Sequence, residues 1–183
     1  MFLFFIVKTY VISYRKDKKV NKIIVIGSPG SGKSTFSRKL SKITGIDIYH
    51  LDNIFWNEDR TSIEISEFDK EVKCIIEKQS WIIDGNYFVN MHERINFADT
   101  VFFLDYNTDV CISGIMERRG EKKDDIPFVE PEDEIDEDLL NLVKDFKIKV
   151  RPEIFKLLNN CNKKIYIFKT RDETQRFLET IRF

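Results

Sequence analysis

Residues 27–35 read Gly-Ser-Pro-Gly-Ser-Gly-Lys-Ser-Thr, and no other stretch restricts the fold so tightly. The run satisfies G-x-x-x-x-G-K-[ST] at every fixed position. Glycine is scarce in this chain, seven residues of 183, yet Gly27, Gly30 and Gly32 all fall here. Lacking Cβ atoms, they let the backbone curl until successive N–H groups face inward, which makes an anion-binding hollow. The flanks agree. Residues 22–26 form a short apolar, β-branched run that reads as a buried strand. Beyond the glycines, Phe36, Leu40 and Ile43 recur at i, i+4 and i+7, one face of a helix that Gly45 ends. Strand, glycine loop and helix N-terminus together form the arrangement that holds a nucleotide's phosphates. Gly27, Ser28, Pro29, Gly30, Ser31, Gly32, Lys33, Ser34 and Thr35 are accordingly the predicted cradle for ATP or GTP. Lys33 is expected to reach the β- and γ-phosphates, and the Ser34 hydroxyl to ligate Mg²⁺.

The rest of the chain keeps the same rhythm. Residues 46–49, 81–83, 100–104 and 164–168 read as further strands. Residues 66–78, with Phe68, Val72, Ile75 and Ile76 on one face, read as a helix, as do residues 109–119. Ser66 with Asp69, and Thr170 with Glu173, are predicted helix-start caps. The second opens a last helix carrying Phe177, Leu178 and Ile181. Strands alternating with helices imply an α/β fold, a parallel sheet with helices on both faces. Such sheets present ligands at the C-terminal ends of their strands, and those ends carry Gly27, Asp52, Asp84 and Asp105.

The acids divide by position. Asp84 follows the third strand, where an acid can hold Mg²⁺ through water, and Asp105 has similar credentials after the fourth. Asp52, in His50-Leu51-Asp52, lies on the acceptor side and could orient or deprotonate an acceptor hydroxyl. Each is also the kind of strand-end acid that backbone N–H groups satisfy. Phosphoryl transfer calls for cations, and Arg118 is the strongest candidate. Arg94, Arg119 and Arg151 read first as surface residues, and neither His50 nor His92 is assigned catalysis. Residues 121–138 (EKKDDIPFVEPEDEIDED) are acidic and contain two prolines. They read as a lid over the nucleotide, spanning about 119–138, or as a solvated loop. The acidity suits phosphate poorly.

The net charge of −1 argues against direct nucleic-acid binding, which usually shows a basic excess. Three dispersed cysteines and two histidines argue against a zinc site and suggest a reduced, cytoplasmic setting. Residues 1–14 are apolar but interrupted by Lys8, and are shorter than the roughly 20 residues of a membrane span. Residues 1–20 are therefore set apart as an N-terminal extension: a docking segment, a weak anchor, or sequence upstream of a start near Val20. A single domain is expected over 21–183.

GSPGSGKST, then HLD with Trp56 soon after, WIIDGNY, ER with ADT, FFLDY and RR together resemble the bacterial topology modulation proteins (FlaR-related), over about residues 22–180. These are similar to adenylate kinases and other small P-loop kinases. The resemblance implies a three-layer α/β/α P-loop fold with strand order 2-3-1-4-5, a lid and ATP binding. It matches Asp52 to the HLD acid, Asp84 to the DG acid and Arg118 to the lid-base arginine. Two positions depart from it: Gly114 stands where similar sequences often carry a base-packing arginine, and Asn86-Tyr87 replace the acceptor-gripping part of DGFPR.

Two functions follow. One is an ATP- and Mg²⁺-dependent kinase acting on a nucleoside, nucleotide or similar hydroxyl, with Lys33, Asp52 and Arg118 as its working residues. The other is a nucleotide-dependent regulator linked to DNA topology or transcription. A monomer or homodimer fits either.

Overall fold

The structure, a computed structural model, describes residues 20–132 and 136–181. The expected N-terminal extension thus lies outside the described residues, apart from Val20, which packs on the core. Strand β1 (Lys22–Gly27) shows why the sheet is buried on both sides. Its side chains alternate between faces. Ile24 and Ile26 enter one core with Phe68 and Val72, while Ile23 and Val25 enter a second with Phe36 and Leu40.

Chain order is β1, α1 (Lys33–Thr44), β2 (Ile48–His50), α2 (Leu51–Phe55), α3 (Ile65–Ile76), β3 (Trp81–Asp84), α4 (Met91–Phe97), β4 (Thr100–Leu104) and α5 (Thr108–Met116). It continues through α6 (Glu137–Asp145), a π-helical turn, α7 (Arg151–Asn159), β5 (Lys164–Phe168) and α8 (Arg171–Thr180). The five strands are parallel, in the order β2-β3-β1-β4-β5. Helices α1, α5 and α8 cover one face; α3, α4 and α7 cover the other. This is the three-layer α/β/α arrangement expected from the sequence. The first face is ring-rich: Phe36 lies 5.1 Å from Phe102 and 6.0 Å from Phe168 between centroids. Burial of each such ring contributes about 1.5–3 kcal/mol.

Several boundaries differ from the sequence reading. β2 starts at Ile48, not residue 46, and α5 ends at Met116, not residue 119. The Ser66–Asp69 cap does not form: α3 begins after Glu64 without a side-chain cap. A small antiparallel bridge, Trp56 to Ser62, with the Ile63 amide on the Phe55 carbonyl, fixes where that helix starts. Thr170 does cap α8, its hydroxyl accepting from the Glu173 amide at 3.2 Å. The Glu173 carboxylate in turn accepts from the Lys169 amide at 2.6 Å, one residue before the cap.

Candidate functional site

Gly30 (φ 75°) and Gly32 (φ 82°) bend the loop after β1 into the left-handed region, where residues with a Cβ are strained. At Gly30 the constraint is also one of space. A Cβ there would stand 2.0 Å from the Cys111 carbonyl oxygen of α5. Gly114 faces the loop from the other side, and its own Cβ would stand 2.1 Å from the Gly30 oxygen. Helix and loop therefore touch backbone to backbone. This gives Gly114 a physical reason: no side chain fits there, and the Arg171 guanidinium from α8 lies 3.0 Å from that Cβ position.

The loop fits a phosphate chain. Ser31 Oγ is buried without a hydrogen-bond partner, and Lys33 Nζ curls back onto the Ser28 carbonyl at 3.1 Å. Around the loop is a cavity of about 1030 Å³, lined by residues of the loop, α1, α2, α5 and the 121–136 segment. Lys33, Asp52 and Arg118 line it. Lys33 feels Asp52, Asp84 and Arg118 electrostatically, so the structure brings the four together. Burial lowers the Lys33 ammonium from its ordinary pKa, against the pull of Asp52 and Asp84. Burial likewise raises Asp52, although Lys33 and the Tyr87 hydroxyl draw it back. Tyr87 donates to Asp52 Oδ1 at 2.7 Å. A carboxylate held by one donor and lifted from its usual range is suited to accept a proton.

Mg²⁺ requires hard oxygen ligands and commonly takes one or two carboxylates plus substrate phosphates. Ser34, at the start of α1, and Asp84, at the end of β3, fit that chemistry. Among the described residues no three His, Cys, Asp or Glu side chains form a ready-made cage. Asp84 is not free. His50, its register partner on β2, directs Nδ1 at both carboxylate oxygens, 2.9 and 3.0 Å away. Burial lowers the imidazole pKa, but the Asp84 bond and charge outweigh it and the net shift is upward.

Other residues behave differently from the sequence reading. Arg94 is no surface arginine; it is fully buried. It donates to Asn90 Oδ1 at 2.8 Å, to the Gly85 carbonyl at 3.0 Å and to the Tyr87 carbonyl. All three contacts shape the 85–90 loop, and Arg94, buried and outside the cavity lining, presents nothing to an acceptor there. Arg94→Ala is expected to destabilise the protein by about 3 kcal/mol or more, since buried acceptors lose their donor. Urea denaturation reads this out, and Arg94→Lys should not restore stability because an ammonium cannot reproduce the fork.

Asp105 does not line that cavity and is held by Arg151 Nε at 2.7 Å and by Lys169 Nζ. Burial pushes its carboxyl up, yet the Arg151 and Lys169 bonds prevail and hold it below the usual carboxylate range. A depressed folded pKa stabilises above the unfolded value and is lost as pH falls through the folded one. Wild type should therefore lose more stability than Asp105→Asn on acidification from pH 6 to below pH ~4, the ordinary aspartate value. Melting curves across that range check it.

Arg118 pairs with Glu130 of the 121–136 segment, leaving its buried Nε without a partner. Three residues had no assigned role in the sequence: His50, Tyr87 and Asn86. Asn86 takes both polar backbone groups of Gly27, accepting from its N–H at 3.1 Å and donating to its carbonyl. The Asp-Gly-Asn-Tyr run was visible, but only the sheet register shows that it meets the glycine loop.

No protein-family model matches the chain, and no curated protein matches it. Solved structures do. Shikimate kinase from Bacteroides thetaiotaomicron superposes with a TM-score of 0.56 at 15% identity, covering 88% of this chain and 96% of that one. Shikimate kinase from Acinetobacter baumannii, in complex with shikimate, gives 0.56 at 16%, covering 88% and 92%. Deoxyadenosine kinase from M. mycoides with bound dATP gives 0.54 at 18%, covering 86% and 95%. The chain has the fold of small P-loop kinases. The topology-modulation resemblance has no counterpart in these matches.

Proposed function

We propose that the protein is a kinase that transfers the γ-phosphoryl group of ATP to a hydroxyl of a nucleoside, nucleotide or similar small acceptor. One observation carries the reading: the phosphate-loop lysine, Lys33, and a buried carboxylate of raised pKa, Asp52, share one large cavity. A bare nucleotide-binding module has no use for a proton acceptor beside its phosphate lysine. The likeness to shikimate and deoxyadenosine kinases supports the class, and leaves the acceptor open between such substrates.

In this reading the loop N–H groups and Lys33 hold the β- and γ-phosphates. Asp52, aligned by Tyr87, accepts the proton of the acceptor hydroxyl as that oxygen bonds to phosphorus and the ADP oxygen leaves. Arg118 exchanges Glu130 for the transferring group. Ser34 and Asp84 would hold Mg²⁺, which when bound neutralises phosphate charge. Beside Asp52 the cavity is walled by Trp56, Tyr87, Phe88 and Phe128, with Arg60 stacked 5.1 Å over the Phe128 ring. Flat faces and a cation favour an aromatic heterocycle as acceptor.

An ADP-release assay over nucleosides, nucleotides and hydroxylated carboxylic acids tests the proposal. Acceptor-dependent ADP release that disappears in Lys33→Ala supports it; ADP release no faster than in that variant, for every acceptor, removes it. The regulatory alternative needs DNA contact, direct or through a partner. The net charge of −1 gives it no support, and a gel shift at low salt is its test.

A further inference from the structure

The acidic character of residues 121–138 is unexplained by a phosphate site, because carboxylates and phosphates repel. The structure shows where one of those acids goes. The Asp125 carboxylate is mostly buried and sits against α1, bonded by Arg38 Nη1 at 3.0 Å and lining the same cavity as Ser34. The placement is fastened on both sides. Asn53 of α2 donates to the Asp124 carbonyl, Arg60 to the Val129 carbonyl at 2.9 Å, and Arg118 to the Glu130 carboxylate. Four separate elements thus hold a strap across the cavity with one carboxylate at the hydroxyl predicted to ligate metal.

We propose that Asp125 is a metal-binding residue: with Ser34 it holds the divalent cation that accompanies the nucleotide, so that the strap closes onto the cation rather than onto phosphate. The inference rests on the ATP-dependent reading above. Its physical basis is charge. Asp52 and Asp84 already face Lys33, and a nucleotide brings several further negative charges. Arg38 balances the Asp125 charge in the free protein, but nothing on the strap balances the further charge that a nucleotide would bring beside it. Arg38 bonds one oxygen, Oδ1, of a carboxylate that still has room for further partners. A hard cation with oxygen ligands at that point would turn repulsion between strap and nucleotide into a bridge. His50 also senses the Asp125 charge, so the strap acid lies within electrostatic reach of the Asp84–His50 pair.

The competing account is mechanical: Asp125 merely latches the strap to Arg38. Equilibrium binding separates the two. Affinity for ATP is measured by calorimetry with Mg²⁺ and with EDTA, for wild type, Asp125→Asn, Asp125→Glu and Arg38→Gln. If Asp125 binds the cation, Asp125→Asn weakens Mg²⁺–ATP by about tenfold or more, the cost of about 1.4 kcal/mol. The same variant leaves metal-free ATP unchanged or tighter, since a repelling charge has gone. Asp125→Glu keeps part of the metal preference, and Arg38→Gln keeps the ratio of the two affinities. An equal change under both conditions in Asp125→Asn, or no change in either, overturns the proposal. Mn²⁺ binding to the ADP complex, read by electron paramagnetic resonance, is the second measurement: its affinity must fall in Asp125→Asn. Absence of ATP binding by wild type would instead strike the kinase reading itself.

Discussion

Lys33→Ala is expected to lower kcat/KM by about a thousandfold, about 4 kcal/mol of transition-state stabilisation. The size follows from the surroundings of the ammonium. It is the cation nearest the phosphate loop, and it faces Asp52 and Asp84. Removing it leaves two carboxylates opposite a polyanion with nothing between them. ATP affinity should fall along with turnover, since Lys33 acts on ground and transition states alike. Stability should not fall: burial already disfavours the charge, so the apoprotein loses little when it goes. Steady-state kinetics and a melting curve on the same preparation read both halves. Turnover within tenfold of wild type would mean that the loop binds phosphate in some other way.

Asp52→Asn is expected to cost about 10²–10⁴ in kcat while ATP binding stays close to wild type. The amide preserves shape and can still accept from Tyr87, but it cannot take a proton. The pH profile adds a distinct signature. Burial raises the Asp52 pKa and Lys33 only partly opposes it, so the acid limb of kcat/KM should lie above the ordinary carboxylate range. Activity rises with pH through that limb because the ionised form is the base. In Asp52→Asn the limb should vanish. Tyr87→Phe, which removes the 2.7 Å bond to Asp52, should shift the limb further upward.

What the sequence could disclose was local. The glycine loop, five strands and the Thr170 cap are written in short-range patterns: glycine spacing, β-branched runs, a four-residue box. Asp52, Asp84 and Arg118 could be named because strand ends in a parallel sheet converge on one edge. Register and depth were not legible. His50 meets Asp84 because β2 and β3 pair in one particular alignment, and no local pattern sets that alignment. Arg94 looked like any surface arginine, yet it is fully buried and bonded to the 85–90 loop. Gly114 looked like a lost functional arginine and proved to be a point of contact between α5 and the phosphate loop. Asp125 belonged to a stretch read as a lid or a solvated loop, and neither reading singled it out. Its partner, Arg38, comes from a helix far back in the chain.

The Asn86 side chain gives the site its mechanics. One amide grips both the N–H and the carbonyl of Gly27, tying the end of β1 to the turn that follows β3. The donor half begins at that glycine, and the acceptor half, through Tyr87 and Asp52, hangs from the next residue along. Neither half can tilt without the other. Together they form a single jaw, and residues 121–131 lie across the cavity from it. On the kinase reading, the spacing between phosphate and hydroxyl is built into that anvil before anything binds.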